Sequence, residues 1–188
     1  MLCFLETATS LRPQPRAEIL GIDAYIPRKS HVAGVAKVHE LSSKESPLGP
    51  SPAASDAFRE GVCHLPRYPD CPALALREAT ANRFGFEVSR IICGNGSDEI
   101  LALLGRPFLG RGEEGVYSKY GFLEYPICIR AAGAVPVVAA ETNKTLNVDA
   151  ILAKISARTR IVFIASPNNP TGTYVPYSEL ERIQAGHP

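Results

Sequence analysis

Five apolar residues in a row, Ile161-Val162-Phe163-Ile164-Ala165, run straight into Ser166-Pro167-Asn168-Asn169-Pro170-Thr171-Gly172. A short apolar, β-branched run bounded by turn formers reads as a buried parallel strand. Parallel strands need covering on both faces, so this segment implies a sheet wrapped by helices. The Asn-Asn-Pro-Thr-Gly turn then lies at the strand's carboxyl end, where open α/β sheets bind ligands. An asparagine side chain there can donate an amide N–H to a ligand oxygen. The same residues also make an ordinary turn, so this segment alone leaves both readings open.

The pattern upstream supports a layered fold. Ser51-Pro52 opens a helix that runs through Phe58 and Val62, with proline at a position where its missing N–H is harmless. A second helix is expected from about Pro72 to Arg83, closing at Gly85. A strand over Arg90–Cys93 follows, and Ser97 is expected to cap a helix carrying Ile100, Leu104 and Phe108 on one face. Strands at Gly115–Ser118, Val135–Ala139 and Ile161–Ala165 alternate with helices near Phe122–Ala132 and Val148–Ile155, and a last helix begins near Pro176. Strand–helix alternation at this spacing indicates a doubly wound, mostly parallel α/β sheet. Residues 1–50, rich in Pro, Ser and Gly, read instead as an N-terminal arm and linker in which the prolines interrupt any helix.

Composition narrows the function classes. The 188 residues are 45% hydrophobic and 21% charged with a formal net charge of +1, which excludes a disordered chain and leaves no basic footprint for nucleic acid. No apolar run approaches the ~20 residues that cross a bilayer, and the first ten residues lack the basic region of a secretory signal. Five scattered cysteines and four unclustered histidines have no metal-ligand spacing, so no metal site is expected. The thiols suit a reduced, cytoplasmic setting.

Three further segments can carry chemistry. Cys93-Gly94-Asn95-Gly96-Ser97-Asp98-Glu99 joins a strand to a helix start, whose free N–H groups and macrodipole suit a phosphate. It is equally a plain N-terminus with acidic residues in the first turn. Tyr117-Ser118-Lys119-Tyr120-Gly121-Phe122 places an aromatic ring where it could stack on a flat heteroaromatic ligand, or simply pack. Arg67-Tyr68-Pro69-Asp70 precedes a helix as an ordinary turn would. No catalytic serine triad, Walker loop or paired-carboxylate pattern is present.

Taken in order, Pro-Leu-Gly-Pro at 47–50, Arg-Tyr-Pro-Asp at 67–70, Gly-Asn-Gly-Ser-Asp-Glu at 94–99, Lys-Tyr-Gly-Phe at 119–122 and Ser-Pro-Asn-Asn-Pro-Thr-Gly at 166–172 resemble the histidinol-phosphate aminotransferases, within the fold type I, class I/II aminotransferases. The resemblance covers about residues 20–188. It implies that residues 51–188 form part of a pyridoxal 5′-phosphate-binding large domain. It implies transamination of an amino-acid phosphate, histidinol phosphate, with a 2-oxo acid, 2-oxoglutarate or its partner glutamate, in histidine biosynthesis. It also implies a homodimer. By position, Gly96 and the backbone amides of Ser97 and Asp98 would hold the cofactor phosphate, Tyr120 would stack on its ring, and Asn169 would hydrogen-bond its phenolic oxygen. Tyr68 would reach the phosphate in the neighbouring subunit's site.

Two departures qualify the likeness. The arm reads Lys44-Glu45-Ser46-Pro47 where the family has Asn-Glu-Asn-Pro, which removes two amides from the substrate entrance. The lysines Lys29, Lys37, Lys44, Lys119, Lys144 and Lys154 do not sit in the family's Ser-x-x-Lys context, so no residue is assigned a catalytic role. The chain is therefore expected to be the N-terminal half of such an enzyme, and inactive by itself. The competing readings are a non-catalytic binding or interaction fragment, and another fold type I enzyme such as a phospho-amino-acid decarboxylase.

Overall fold

The computed structural model describes residues 15–23, 33–34, 46 and 48–186. Most of the expected arm, including Lys44, Glu45 and Pro47, lies outside the described residues. The chain divides into two compact units, Ala24–Cys93 and Met1–Asp23 with Gly94–Pro188.

The unit Ala24–Cys93 is helical where described. Helix α2, Pro52–Gly61, starts as expected, with the Ser51 hydroxyl accepting from the Ala54 N–H at 3.2 Å. Helix α3, Leu74–Phe84, ends on Gly85 in the left-handed conformation, the usual glycine stop. It begins two residues later than expected because the Asp70 carboxylate captures the Leu74 N–H at 2.8 Å, four residues ahead. The expected strand at Arg90–Cys93 does not form. Val88–Arg90 makes a 3-10 turn instead, and Ile91 is extended with no ladder partner among the described residues. Apolar, β-branched residues favour extended backbone, but a strand also needs a neighbour to pair with.

The second unit contains the sheet. Its helices are α1 (Ala17–Leu20), α4 (Ser97–Phe108), α5 (Glu124–Ala132), α6 (Val148–Leu152) and α7 (Tyr177–Ala185). Its strands are β1 (Glu114–Ser118), β2 (Val135–Ala139) and β5 (Thr159–Phe163), plus a small antiparallel hairpin of β3 (Glu141–Thr142) and β4 (Thr145–Leu146). Strands β2-β1-β5 pair in parallel in that order, with Val116 opposite Val137 on one side and Val162 on the other. Helix α1 departs from the expected helix-free arm. The four residues after Pro15 and Arg16 are enough for one turn, and Arg16 fastens it by donating to the Ala131 carbonyl at the end of α5.

The alternation of side chains along the strands divides the interior in two. Val116, Val137, Val162 and Ile164 pack on one face with Val148 and Ile151 of α6 and Ile183 of α7. Tyr117, Ile161 and Phe163 pack on the other with Tyr125, Cys128 and Ile129 of α5. Helices on both faces of a parallel sheet make the doubly wound α/β fold that the strand–helix alternation implies. Val116, Ile129 and Ile151 are fully buried, and burying each side chain contributes on the order of 1.5–3 kcal/mol. Tyr125 stacks on Phe163 with centroids 5.1 Å apart, and Phe122 meets it edge-on at 6.0 Å. Among the described residues no helix is long and apolar enough to cross a membrane.

The strand order also locates a crevice. From β1 the chain passes through α5 to β2 on one side, then through α6 to β5 on the other. The loops leaving β1 and β5 therefore diverge at a topological switch point, where doubly wound sheets bind ligands.

Candidate functional site

Each sequence-identified segment of this unit reaches the carboxyl edge of the sheet by its own local logic. Strand β1 ends at Ser118, and a tight turn follows in which the Gly121 N–H donates to the Ser118 carbonyl at 2.9 Å. A Cβ on Gly121 would lie 3.0 Å from that carbonyl and 3.2 Å from the Tyr125 ring, a tight fit that a larger residue would enter only by pushing its neighbours back. The turn lifts Tyr120 clear of the core, 43% exposed, with the Lys119 ammonium 5.5 Å from its ring centre. Its N–H donates to Glu141 Oε1 at 3.0 Å, and its carbonyl accepts from Asn168 Nδ2 at 3.1 Å.

The turn after β5 is tied by its own backbone. The Asn168 N–H donates to the Thr173 carbonyl and the Gly172 N–H to the Asn168 carbonyl, each at 2.8 Å. Asn168 is buried, whereas Asn169 is half-buried and its amide has no hydrogen-bond partner among the described residues. The two adjacent asparagines thus divide the work: the first is consumed in building the edge, and the second is left available to a ligand. Asn168 is the residue that sequence reasoning missed. Its position in the Asn-Asn pair gave a weak hint, but only the fold shows that it bridges to Tyr120, 48 residues away.

Helix α4 approaches the same edge. It leads through a short turn into the amino end of β1, so its own start points back toward the carboxyl end. Helix α4 packs against α5, where a Cβ on Gly105 would lie 3.5 Å from the Cys128 carbonyl oxygen, and burial and, secondly, the negative charge of Asp98 raise the Glu124 carboxyl above the ordinary carboxylate range. The helix begins differently from expectation. Gly96, with φ 85° and ψ 178°, occupies the cap position, and Ser97 is the first helical residue rather than the cap. That backbone conformation is open essentially to glycine alone. Glu99 reaches back to accept the Asn95 N–H at 2.6 Å, which holds the Gly-Asn-Gly turn in place. No side chain among the described residues caps the helix, so its first N–H groups stay available, and a Cβ on Gly96 would meet nothing within 4 Å. Tyr68 belongs to the unit Ala24–Cys93, where its side chain is 99% exposed.

A family model for class I and II aminotransferases matches residues 36–187. This chain belongs to the class I and II aminotransferases. Curated relatives include histidinol-phosphate aminotransferases of Rhodospirillum centenum, 50% identical over 176 residues, and Rhodopseudomonas palustris, 51% identical over 178 residues. Each alignment takes in 94% of this chain and 49% of the relative, so the chain spans about half the length of the curated relatives it matches. Among solved structures, histidinol-phosphate aminotransferase from Sinorhizobium meliloti in complex with pyridoxal 5′-phosphate superposes with a TM-score of 0.74. That match has 24% identity and covers 78% of this chain and 40% of the other. It supports the fold, which is that of the fold type I aminotransferases.

Among the described residues this edge offers a helix start without a side-chain cap, an exposed aromatic ring and an asparagine amide without a partner, groups whose chemistry suits an anion, a flat heterocycle and an oxygen.

Proposed function

We propose that this chain takes part in pyridoxal-phosphate-dependent transamination between histidinol phosphate and 2-oxoglutarate, in histidine biosynthesis. The observation that carries the reading is the Asn168 bridge. It draws the Tyr120 loop and the Asn169 turn together at the switch point of a chain half-identical to histidinol-phosphate aminotransferases. The amides of Ser97 and Asp98, freed by the Gly96 turn, bind the cofactor phosphate with the helix dipole favouring its negative charge. Tyr120 stacks on the ring and orients it. Asn169 donates its amide N–H to the phenolic oxygen. When bound, the cofactor supplies the conjugated ring that takes up charge from the amino acid's α-carbon. Tyr68 reaches the phosphate of a second copy of the chain, the active assembly being a cytoplasmic homodimer.

Titration with pyridoxal 5′-phosphate, followed by its absorbance, tests the reading. Asn169→Ala should weaken binding about tenfold through loss of one hydrogen bond, with affinity for inorganic phosphate unchanged. Equal cofactor affinity in wild type and variant would sink it. The substrate assignment is checked by co-expressing the chain with the remaining half of the Rhodospirillum centenum relative. Glutamate formation from 2-oxoglutarate should then depend on histidinol phosphate and not on aspartate.

A further inference from the structure

The Tyr120 loop, the turn after β5 and the β3–β4 hairpin are joined by a circuit of hydrogen bonds. Glu141 Oε1 accepts from the Tyr120 N–H at 3.0 Å. The Tyr120 carbonyl accepts from Asn168 Nδ2 at 3.1 Å, and the same amide donates to Thr171 Oγ1 at 2.8 Å. The Thr171 and Thr173 hydroxyls are 2.8 Å apart, and Thr173 Oγ1 donates to the Lys144 carbonyl at 2.9 Å. Because Thr173 spends its proton on Lys144, Thr171 must be the donor between the two hydroxyls. The Asn168 amide thus spends both its protons, one toward the Tyr120 loop and one toward Thr171 and the hairpin. Glu141 and Lys144 belong to the same β3–β4 hairpin, which closes the loop.

Within that circuit Glu141 has one task. Its bond to Tyr120 is the carboxylate's sole hydrogen bond among the described residues, and Oε2 is buried without a partner there. The β1 ladder ends one residue earlier, where the Lys119 N–H donates to the Ala139 carbonyl. From Tyr120 onward no strand supplies an acceptor, and a carboxylate takes over the role. With the N–H held by Glu141 and the carbonyl by Asn168, both peptide planes of Tyr120 are fixed, and only its side-chain torsions remain free.

We propose that Glu141 is a positioning residue, whose carboxylate fixes the Tyr120 peptide so that the ring stands ready to stack on a flat heteroaromatic ligand. The ligand part rests on the cofactor reading above; the positioning part does not. Glu141→Asp keeps the charge but shortens the reach by one methylene. Glu141→Gln loses the charge but keeps the reach and a carbonyl acceptor.

Amide exchange by NMR reads the positioning directly. The Tyr120 N–H should exchange about tenfold faster in Glu141→Asp than in wild type, and at the wild-type rate in Glu141→Gln. Affinity for pyridoxal 5′-phosphate should fall about tenfold in Glu141→Asp, while affinity for inorganic phosphate, held at the α4 start, stays unchanged in both variants. Wild-type exchange at Tyr120 in Glu141→Asp would overturn the proposal, as would a loss confined to Glu141→Gln, which would assign the role to charge. A parallel fall in phosphate affinity would show a general collapse of the edge and also overturn it. If wild type binds inorganic phosphate but no pyridoxal 5′-phosphate, the cofactor reading fails, and the exchange rates alone decide whether Glu141 positions Tyr120.

Discussion

The two ends of the same three strands are built in opposite ways. At the amino end, polar groups satisfy one another. Glu114, the first residue of the central strand, is buried, with Arg158 Nη2 at 2.5 Å and the Ser156 hydroxyl at 2.6 Å. Its neighbour Glu113 pairs with Arg160 at 2.8 Å. At the carboxyl end, the circuit through Glu141, Tyr120 and Asn168 holds the loops, while the Tyr120 ring is exposed and the Asn169 amide and the α4 start have no side-chain hydrogen-bond partner among the described residues. Parallel connections account for the difference. Helices that return antiparallel to the strands bring their N-terminal dipole ends to the carboxyl edge, where an anion is favoured. The amino edge is closed instead by charge pairing at Glu113 and Glu114.

If that division is right, substitutions at the amino end should change stability and leave ligand affinity alone. Gly115→Val is the severest case. A Cβ there would lie 2.6 Å from Ile129 Cγ1 and 2.7 Å from Cδ1, inside a core with no slack. The expected loss is about 3 kcal/mol in urea unfolding, with inorganic-phosphate affinity unchanged where the protein is folded. A loss of affinity in the folded variant would break the contrast between the two ends.

Glu114→Gln should cost about 2 kcal/mol at neutral pH, the scale of a hydrogen-bonded charged group. The Ser156 hydroxyl bond first, then the Arg158 charge, hold the Glu114 carboxyl below its ordinary value of 4.5, against the opposing effect of burial. A carboxyl whose folded pKa is depressed stabilises the fold above the unfolded value and loses that contribution as pH falls through the folded one. Wild type should therefore lose stability on acidification below about pH 4.5, and Glu114→Gln should lose less. Parallel acid curves for the two proteins would remove Glu114 from the account.

The smallest effect on stability is expected at the carboxyl end. Gly96→Ala forces a side chain into a backbone conformation that only glycine adopts readily, at a cost of about 1.5 kcal/mol. Its larger consequence should be for binding, since relaxing that strain would turn the first amides of α4. Inorganic-phosphate affinity should fall several-fold, measured by calorimetry. Unchanged affinity with reduced stability would make Gly96 a fold residue only and blur the division.

Much of this arrangement was legible in the residues themselves. Pro52 and Gly85 mark helix ends because ring closure and a missing Cβ act locally. The runs at 115–118, 135–139 and 161–165 place the three parallel strands to within two residues. The order of the motifs from Arg67 to Gly172 points to the aminotransferase family. The hairpin at 141–146 was not legible. Its two-residue turn places Asn143 and Lys144 at positive φ, and Asn-Lys is a weaker signal for such a turn than Asn-Gly.

What the sequence determined by itself is therefore the set of elements and the residues offered at their ends, since propensity, capping and turn chemistry act over a few positions. Only the tertiary structure decided that Ile91–Cys93 would pair with no strand among the described residues, that Glu114 would be buried against Arg158, and that Asn168 rather than Asn169 would clasp Tyr120. Each depends on a partner tens of residues away or on a missing one. The pairing energy of a strand, a charge or an amide belongs to both members, and a local reading sees one.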